Sequence, residues 1–358
     1  MSAPLLLHVF PTFAVGGAQV RFASVANRLG PRWRHAIVAL DGVTDCAARL
    51  APTLDVVFPD VVIRKGDLVG NVRAIRRLLR ALRPSVMVTS NWGSIEWAIA
   101  NALPLVRHIH TEDGFGPEER DRQLPRRVST RRLALRRSIV VLPSRTLMNI
   151  ACDQWRLDPA RLRYIPNGVD LSRFASDGSR SHGSTVGIVA ALRPEKNVGR
   201  LIRALHAVDA PWRLVVVGDG GERAALEAMT ASMGLQSRVS FIGQQADTAR
   251  YYNEFDIFAL SSETEQMPLS VLEAMAAGLP VASTDVGDVR AMVAAQNDAF
   301  IGALTDGALA GSLRALLMNP DLRREIGAAN RAKAEAEFNQ DIMFEAYGHL
   351  FAGETASV

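Results

Sequence analysis

The chain has 358 residues, of which 48% are hydrophobic and 22% are charged, and its net charge is +4. This length favours two domains over one core, and only two cysteines argue against a disulfide scaffold and for a reducing compartment. No apolar run reaches the roughly 20 residues of a membrane-spanning helix. The basic residues are nearly all arginines, but nucleic-acid motifs and interleaved aromatic residues are missing, so we expect no nucleic-acid partner.

Short apolar runs of strand length alternate with segments of helical periodicity. The first predicted strands are LLLHVF, HAIVAL, VMVTSN, RHIHT and SIVVLPS. Helices are predicted at AQVRFASVANRL and NVRAIRRLLRALR. The alternation restarts with strands at TVGIVAAL, RLVVVGDG, RVSFIG, DIFALSS and LPVASTD. This order favours an α/β fold with two Rossmann-like domains, each a parallel sheet wound with helices, that face each other across a cleft.

Composition predicts where the domains begin and end. The polar stretch ASDGSRSHGST lacks periodicity and is typical of a linker. We therefore predict an N-terminal domain at 1–174, a linker at 175–184, a C-terminal domain at 185–335, and a helix and tail at 336–358 that could pack back on the N-terminal domain. The opening MSAPLLLHVFPTF has no basic residues ahead of its apolar run, so it predicts a strand rather than a signal peptide.

Two strand-to-helix turns could hold phosphate, because ligands of such sheets bind beyond the carboxyl ends of the strands. In PTFAVGG, Gly16 and Gly17 permit close backbone approach ahead of free helix amides, although a plain turn has the same pattern. In ALRPEKN, Arg193 and Lys196 offer positive charge and directed donors to a diphosphate, unless they form only an exposed basic loop.

The segment VVVGDGGERAALE invites comparison with dinucleotide-binding motifs. The pattern G-x-G-x-x-G from Gly218 would require glycine where Arg223 stands. The next strand, VSFIGQQ, also ends without the acidic residue that would bind an NAD ribose. The sequence therefore argues against NAD as a ligand.

Two glutamates flank the start of a helix predicted from Pro268 to about Ala277. Glu265 lies in the loop before this helix, and Glu273 lies little more than one turn inside it. Glu273 could simply interact with the helix dipole, but its neighbours are apolar, and a carboxylate among them needs partners. Sugar hydroxyls are suitable donors, and the free amides near Leu269 and Ser270 would lie beside them.

The segment RHIHTEDG allows three interpretations. His108 and His110 point the same way on a strand, and with Glu112 and Asp113 they could bind a metal. They could also be a structural histidine pair. The third interpretation places His110 in the active cleft.

Several segments together resemble the GT-B retaining glycosyltransferases of the large group-4 family. Glu265 and Glu273 match its E-x7-E pattern. The other matching segments, in chain order, are VGGAQ, TSNWGSIEWA, IPNGVDLSRF, LRPEKN, VVVGDGG, VSFIG and LEAMAAGLPVASTDVG. HTEDGFG resembles a loop of polysaccharide-assembly members. Gln266 departs from the family, because a glycine often follows the first glutamate there.

The resemblance implies that a nucleotide diphosphate sugar, linked to UDP or GDP, is bound mainly by the C-terminal domain, and that the N-terminal domain binds the acceptor. Arg193 and Lys196 would neutralise the diphosphate, Glu273 would accept from the ribose hydroxyls, and Glu265 would contact the transferring sugar. The implied donor-binding set is Gly16, Gly17, Arg193, Lys196, Gly243, Gln244, Glu265, Leu269, Ser270 and Glu273. The implied catalytic set is His110, Glu265, Arg193 and Lys196.

For the acceptor, a glycan or lipid-linked sugar, Trp92 and Asp113 are guesses. The sequence lacks the Asp-x-Asp triplet that metal-using glycosyltransferases usually carry. We therefore predict a metal-independent hexosyltransferase without a cofactor, acting in exopolysaccharide or cell-envelope assembly. The rival functions are a nucleotide-sugar epimerase on a similar fold and a non-catalytic nucleotide-sugar-binding subunit.

Residues 120–137 carry eight arginines and one aspartate. They form either a solvated helix face or a surface that docks on anionic lipid, where each charge contributes on the order of 1 kcal/mol. The predicted location is cytoplasmic, with the option of peripheral attachment to the inner face of the membrane.

Overall fold

Two parallel β-sheets form the framework of the chain. The computed structural model describes residues 3–115, 117–119, 122–175 and 183–354. The strands of the first sheet are β1 Leu5–Phe10, β2 Arg34–Ala39, β3 Val56–Val57, β4 Val86–Ser90, β5 Arg107–Thr111, β6 Ile139–Leu142 and β7 Leu162–Tyr164. Those of the second sheet are β8 Thr185–Val189, β9 Arg213–Val217, β10 Val239–Gly243, β11 Ile257–Leu260, β12 Val281–Thr284 and β13 Ile301–Gly302.

Helices connect these strands, and polar side chains fix where several of them begin. They are α1 Gly17–Leu29, α2 Leu68–Leu82, α3 Ile95–Ala100, α4 Pro125–Ala134, α5 Arg145–Asp153, α6 Val198–His206, α7 Arg223–Ser232, α8 Ala249–Glu254, α9 Leu269–Ala276, α10 Val289–Met292, α11 Asp306–Met318, α12 Pro320–Glu337 and α13 Gln340–Ala352. Asp67, Ser144 and Thr305 each accept a hydrogen bond from an amide of the first turn that follows. Such caps satisfy donors that the helix itself leaves unpaired.

Each sheet changes its direction of winding at its earliest strand. The first sheet has the order β3-β2-β1-β4-β5-β6-β7 and the second has the order β10-β9-β8-β11-β12-β13, with parallel pairing throughout. The predicted α/β class with two parallel sheets is confirmed. Three strands were not predicted, namely β3, β7 and β13, because two or three residues are too few to show a period. The switch points lie between β1 and β4 and between β8 and β11, where ligands of such sheets bind.

The chain divides into two compact units. The first unit comprises Met1–Pro166 with Met343–Val358, and the second comprises Asn167–Ile342. The predicted N-terminal domain ended later, at 174. Residues after 166 group with the second unit because the Val169 amide donates to the Phe338 carbonyl at 2.8 Å. Residues 176–182 of the predicted linker lie outside the described residues.

The end of α13 groups with the first unit. Phe344 and Tyr347 are buried in one apolar cluster with Leu6 of β1 and Val25 of α1. In the second unit the residues of β11, IFAL, are all buried. Strands covered on both faces read as continuous apolar runs, as in this sheet.

A glycine in β8 is required by packing against an aromatic ring. A Cβ at Gly187 would lie 2.2 Å from Cδ2 of Phe255, and Phe255 is itself fully buried. We expect Gly187→Ala to lower the free energy of unfolding by about 1–3 kcal/mol, since neither the strand nor the ring has room to move. Urea denaturation measures this change.

The matched control is Gly311→Ala. Gly311 lies in the interior of α11 with open space around its Cα, so the same added methyl should raise helix stability by roughly 0.5–1 kcal/mol. Equal effects of the two substitutions would contradict the packing account.

Candidate active site

Lys196 and Glu265 meet at the carboxyl edge of the second sheet. Lys196 ends a short 3-10 helix, Pro194–Lys196, that follows β8, and Glu265 lies in the loop after β11. Because β8 and β11 are neighbours at the switch point, these loops lie side by side. Lys196 Nζ donates to Glu265 Oε1 at 2.6 Å, and Ser262 Oγ donates to the same oxygen at 2.7 Å. The two charged side chains are only 18% and 10% exposed.

A second set of contacts ties the same two loops together. Glu263 Oε1 accepts from Arg200 Nη2 at 2.6 Å and also from Asn197 Nδ2. Arg200 Nη1 donates to the Ser261 carbonyl at 3.1 Å, and Ser261 Oγ donates to the Lys196 carbonyl at 3.0 Å. These bonds hold the Lys196 backbone in place. Sequence reasoning missed Arg200 and Glu263, and the only available signal was a second carboxylate two positions before Glu265.

Gly287 allows the loop after β11 to lie close to the segment after β12. Its φ is +55°, and a Cβ there would lie 2.5 Å from the Glu265 carbonyl oxygen and 2.6 Å from that of Gln266. The Asp288 amide donates to the Gln266 carbonyl at 2.9 Å. Any larger residue at 287 would therefore displace the backbone that carries Glu265.

Arg193 is not part of the contacts between Lys196 and Glu265. Its side chain is 60% exposed, and its Nε donates to Glu195 Oε1 at 2.9 Å. An exposed ion pair of this kind contributes about 0–1 kcal/mol, so Arg193 can turn to another anion at little free-energy cost.

Glu273 lies on α9, one turn after Leu269 and Ser270. Its Oε2 accepts from the Tyr252 hydroxyl at 2.6 Å, and no side chain caps the first amides of this helix in the part of the chain described. Burial raises the pKa of Glu273 to about 7, although the Tyr252 hydrogen bond and the charge of Arg173 act in the opposite direction. Burial thus disfavours the ionised form of this carboxyl group. Nothing in the sequence linked Tyr252 to Glu273.

Gly243 and Gln244 lie at the carboxyl end of β10. The Gly243 carbonyl accepts from the Gly218 amide at 2.9 Å, and Gln244 is exposed. A Cβ at Gly218, whose φ is +136°, would lie 1.9 Å from the Ala190 carbonyl oxygen. Gly218, the first glycine of VVVGDGG, is therefore required by the packing of its loop against Ala190.

In the first unit, His110 belongs to a buried row of polar side chains. Ser138 Oγ lies 2.7 Å from His108 Nδ1, and Thr89 Oγ1 lies 2.8 Å from both His108 Nε2 and His110 Nδ1. His110 Nε2 lies 3.5 Å from Glu112 Oε2. One consistent direction of donation runs from Ser138 Oγ through His108 and Thr89 to His110 Nδ1, which leaves Nε2 as the donor nitrogen of the His110 ring. Burial, together with the neighbouring His110, lowers the pKa of His108 to about 3.

Arg131 connects this row to a second buried carboxylate. Its Nε donates to Glu112 Oε2 at 3.2 Å and its Nη2 donates to Glu119 Oε2 at 3.1 Å, and all three side chains are 0% exposed. The guanidinium lies 5.0 Å from the ring centroid of Trp92, and that of Arg127 lies 4.9 Å from it. Sequence reasoning missed Arg131 and Glu119. Trp92, a guess for the acceptor, thus contacts two arginines.

Asp113 pairs with Arg21, so the four residues of the metal hypothesis do not converge. Its Oδ1 lies 2.5 Å from Arg21 Nη1. Both ring nitrogens of His108 already contact hydroxyls. Within the described ranges, no three His, Cys, Asp or Glu side chains are grouped as metal ligands.

Gly16 and Gly17 lie after β1, at the switch point of the first sheet. α1 begins at Gly17, and Gly16 precedes it in an extended conformation with φ −155°. A Cβ at Gly16 would contact only the end of the Gln19 side chain, at 2.8 Å. Backbone geometry alone therefore does not require this glycine.

The arginine-rich stretch divides into buried and exposed residues. Arg120 and Asp121 lie outside the described residues. Arg131 is fully buried and Arg127 is 12% exposed, and both pair with glutamates, so their charges are compensated within the protein. The exposed arginines of the stretch are Arg122, Arg126, Arg132, Arg136 and Arg137. Among the helices that the structure describes, none is both long and apolar enough to cross a bilayer.

Two family models match consecutive parts of the chain. Residues 15–173 match the model described as Glycosyltransferase Family 4, and residues 173–333 match that of Glycosyl transferases group 1. A D-inositol 3-phosphate glycosyltransferase of Salinispora tropica is 28% identical, over 92% of this chain and 79% of that protein. The lipopolysaccharide core biosynthesis glycosyltransferase LpsD of Rhizobium meliloti is 31% identical, over 44% of this chain and 46% of LpsD.

Solved structures show the same fold at low sequence identity. Anabaena Alr3699/HepE in complex with UDP and glucose has a TM-score of 0.83 and 18% identity, covering 98% of this chain and 100% of that one. Sucrose-phosphate synthase from Thermosynechococcus elongatus has a TM-score of 0.81 and 18% identity, covering 98% of both chains. With the two family models matching from residue 15 to 333, the chain belongs to the group 1 and family 4 glycosyltransferases, as its motifs predicted.

Proposed function

We propose that this glycosyltransferase moves a sugar from a nucleoside diphosphate sugar to a glycan or lipid-linked acceptor, with retention of configuration and without a metal. The observation that carries the proposal is the contact of Lys196 with Glu265 at the carboxyl edge of one parallel sheet, in the loop that leads into the helix of Glu273. Complexes of the similar HepE with UDP and with UDP-glucose support a uridine-linked donor. Similarity to a lipopolysaccharide-core enzyme supports a role in cell-envelope or exopolysaccharide assembly.

Lys196 is suited to stabilise the leaving group. Glycosyl transfer develops negative charge on the departing diphosphate, and a fixed cation in a site shielded from water stabilises that charge as it grows. An ammonium has three donors, of which Glu265 takes one. Arg193 would add a second cation by leaving Glu195. A diphosphate is a stronger bidentate partner for a guanidinium than a single exposed carboxylate.

The two carboxylates would bind hydroxyl groups. Glu265 Oε1 already accepts from Lys196 and Ser262, which leaves Oε2 to face the transferring sugar. Glu273 accepts from Tyr252 through Oε2 and would use Oε1 for the ribose diol. Each hydroxyl that donates to Glu273 would stabilise its ionised form and so offset part of the desolvation that raises its pKa.

His110 would contact the transferring sugar. Its Nε2 is buried without a hydrogen-bond partner in the described structure, while Thr89 fixes its Nδ1. A ring held in this way presents one nitrogen in a fixed direction. Retention would follow from attack of the acceptor hydroxyl on the face that the diphosphate leaves.

Donor hydrolysis followed by proton NMR tests the proposed function without an acceptor. Protein is mixed with UDP-glucose in EDTA, and we expect slow release of UDP with α-glucose as the first anomer. Initial β-glucose would contradict retention, and activity restored only by Mn²⁺ or Mg²⁺ would contradict metal independence. Appearance of a UDP-linked epimer would favour the epimerase alternative.

Loss of the Lys196 charge should weaken nucleotide binding. A charge-assisted hydrogen bond contributes about 1.5–3 kcal/mol, so Lys196→Ala should lower UDP affinity about 10- to 100-fold in isothermal titration calorimetry. Lys65→Ala is the control, because Lys65 is exposed and lies outside the site. Equal affinities of the two variants would remove Lys196 from the diphosphate site.

The pKa of Glu273 predicts a pH dependence of donor binding. If the ionised carboxylate accepts from the ribose, lowering the pH from 8 to 6 through a pKa of about 7 should weaken UDP-glucose binding about tenfold. UDP-glucose suits this titration because its diphosphate is substituted at both ends and keeps its charge. Glu273→Gln should bind more weakly at pH 8 and show no such dependence.

The unliganded protein supplies the sign control. Because the folded-state pKa is raised above the usual carboxyl value, the ionised form opposes folding, and the unfolding free energy should fall as pH rises from about 4.5 to 7. Glu273→Gln should remove that part of the slope. A profile unchanged by the substitution would contradict the assignment.

A further inference from the structure

A cavity of about 360 Å³ opens at the amino edge of the first sheet. It lies at the starts of β5, β6 and β7, whereas Thr111 and the segment that carries Glu112 lie at the opposite, carboxyl edge. All of its lining residues belong to the first unit. It therefore opens at the edge opposite Glu112, although His108 and Ser138 of the buried polar row also line it. The lining includes five arginines, Arg107, Arg136, Arg137, Arg161 and Arg163.

Main-chain carbonyl groups hold four of these guanidinium groups. Arg107 donates to the carbonyls of Leu350 and Phe351 at the end of α13. Arg137 donates to the Ala102 carbonyl at 3.3 Å. Arg161 donates to the Arg137 carbonyl at 3.1 Å, and Arg163 donates to the Ala160 carbonyl at 2.9 Å. A carbonyl orients a guanidinium without neutralising it, and several of its five donors stay available. The charges are thus positioned but not balanced.

The C-terminal end of α13 makes room for Arg107. Gly353 has φ +84°, and a Cβ there would lie 2.9 Å from Arg107 Nη1. Glycine is favoured at position 353 because its backbone is in the left-handed region and because a larger side chain would clash with the Arg107 guanidinium.

Carboxylates do not balance the charge of this cavity. None of its five arginines forms an ion pair with Asp or Glu in the described part of the chain. Glu354 also lines the cavity, but its Oε2 lies 2.6 Å from His349 Nδ1. Like charges held around one concave space repel each other, and a bound anion relieves that repulsion.

We propose that this cavity binds a phosphate group. Guanidinium groups match the geometry of phosphate oxygens with paired hydrogen bonds, and several of them together favour a dianion over a carboxylate. The volume lies at the lower end of the range for small-molecule sites, roughly 300–1,000 Å³. The phosphate comes either from a soluble phosphorylated molecule or from a lipid headgroup.

The test compares two double variants of equal charge with the full-length protein. The double variant Arg136→Gln, Arg161→Gln removes two cavity charges. In the described structure the Arg136 side chain has no hydrogen bond, and the Arg161 side chain has one, to the Arg137 carbonyl. Arg126→Gln with Arg132→Gln removes two exposed charges of α4 that do not line the cavity. Urea denaturation verifies folding, and Arg136→Gln alone serves if the first pair unfolds.

In the first arm, inorganic phosphate is titrated calorimetrically at constant ionic strength with excess UDP present. In the second arm, the proteins are sedimented with phosphatidylcholine vesicles with and without phosphatidic acid. We expect the cavity variant to bind phosphate or phosphatidic acid at least about tenfold more weakly than wild type, and the α4 variant to match wild type. Saturable binding of inorganic phosphate assigns a soluble ligand, and binding to phosphatidic acid vesicles alone assigns a headgroup. Equal losses in both variants, or no binding in either arm, would overturn the proposal.

Discussion

The contact between Lys196 and Glu265 is the interaction on which the rest of the site depends. It exists because β8 and β11 are adjacent, so two loops far apart in sequence leave the sheet at the same edge. Around it, the Arg200–Glu263 contacts and the space left by Gly287 fix both loop backbones. Lys196 and Glu265 neutralise each other in the free protein; in the proposed function, Lys196 would bind the diphosphate and Glu265 the sugar hydroxyls.

The first unit contains a fully buried cluster of charged side chains. Glu112 and Glu119 are fully buried and share Arg131, so removal of that arginine would leave two uncompensated carboxylates. Such arrangements rarely increase stability over an apolar core, because desolvation offsets the attraction. A reason to keep this one is orientation, since Glu112 lies at the end of the row that contains Ser138, His108, Thr89 and His110.

The alternation of apolar runs predicted the parallel sheets because central strands such as β4 and β11 are buried on both faces and helices such as α2 have a periodic apolar stripe. The loops that contain Lys196 and Glu265 could be predicted as well, since the switch-point rule brings strand ends together. Tyr252 and Arg131 could not be predicted. Their partners lie 21 and 12–19 positions away, and those distances follow from packing rather than from a period in the sequence. Glycine patterns did not distinguish ligand binding from packing for a similar reason, since Gly218 is required by the packing of its loop against Ala190.

A crystal structure of the protein with UDP-glucose tests the central claim most directly. The account predicts diphosphate oxygens within ion-pair distance of Lys196 and the ribose hydroxyls on Glu273, with Glu265 facing the glucose ring. A nucleotide bound elsewhere, with Lys196 still on Glu265 and no ligand atom near Glu273, would contradict it.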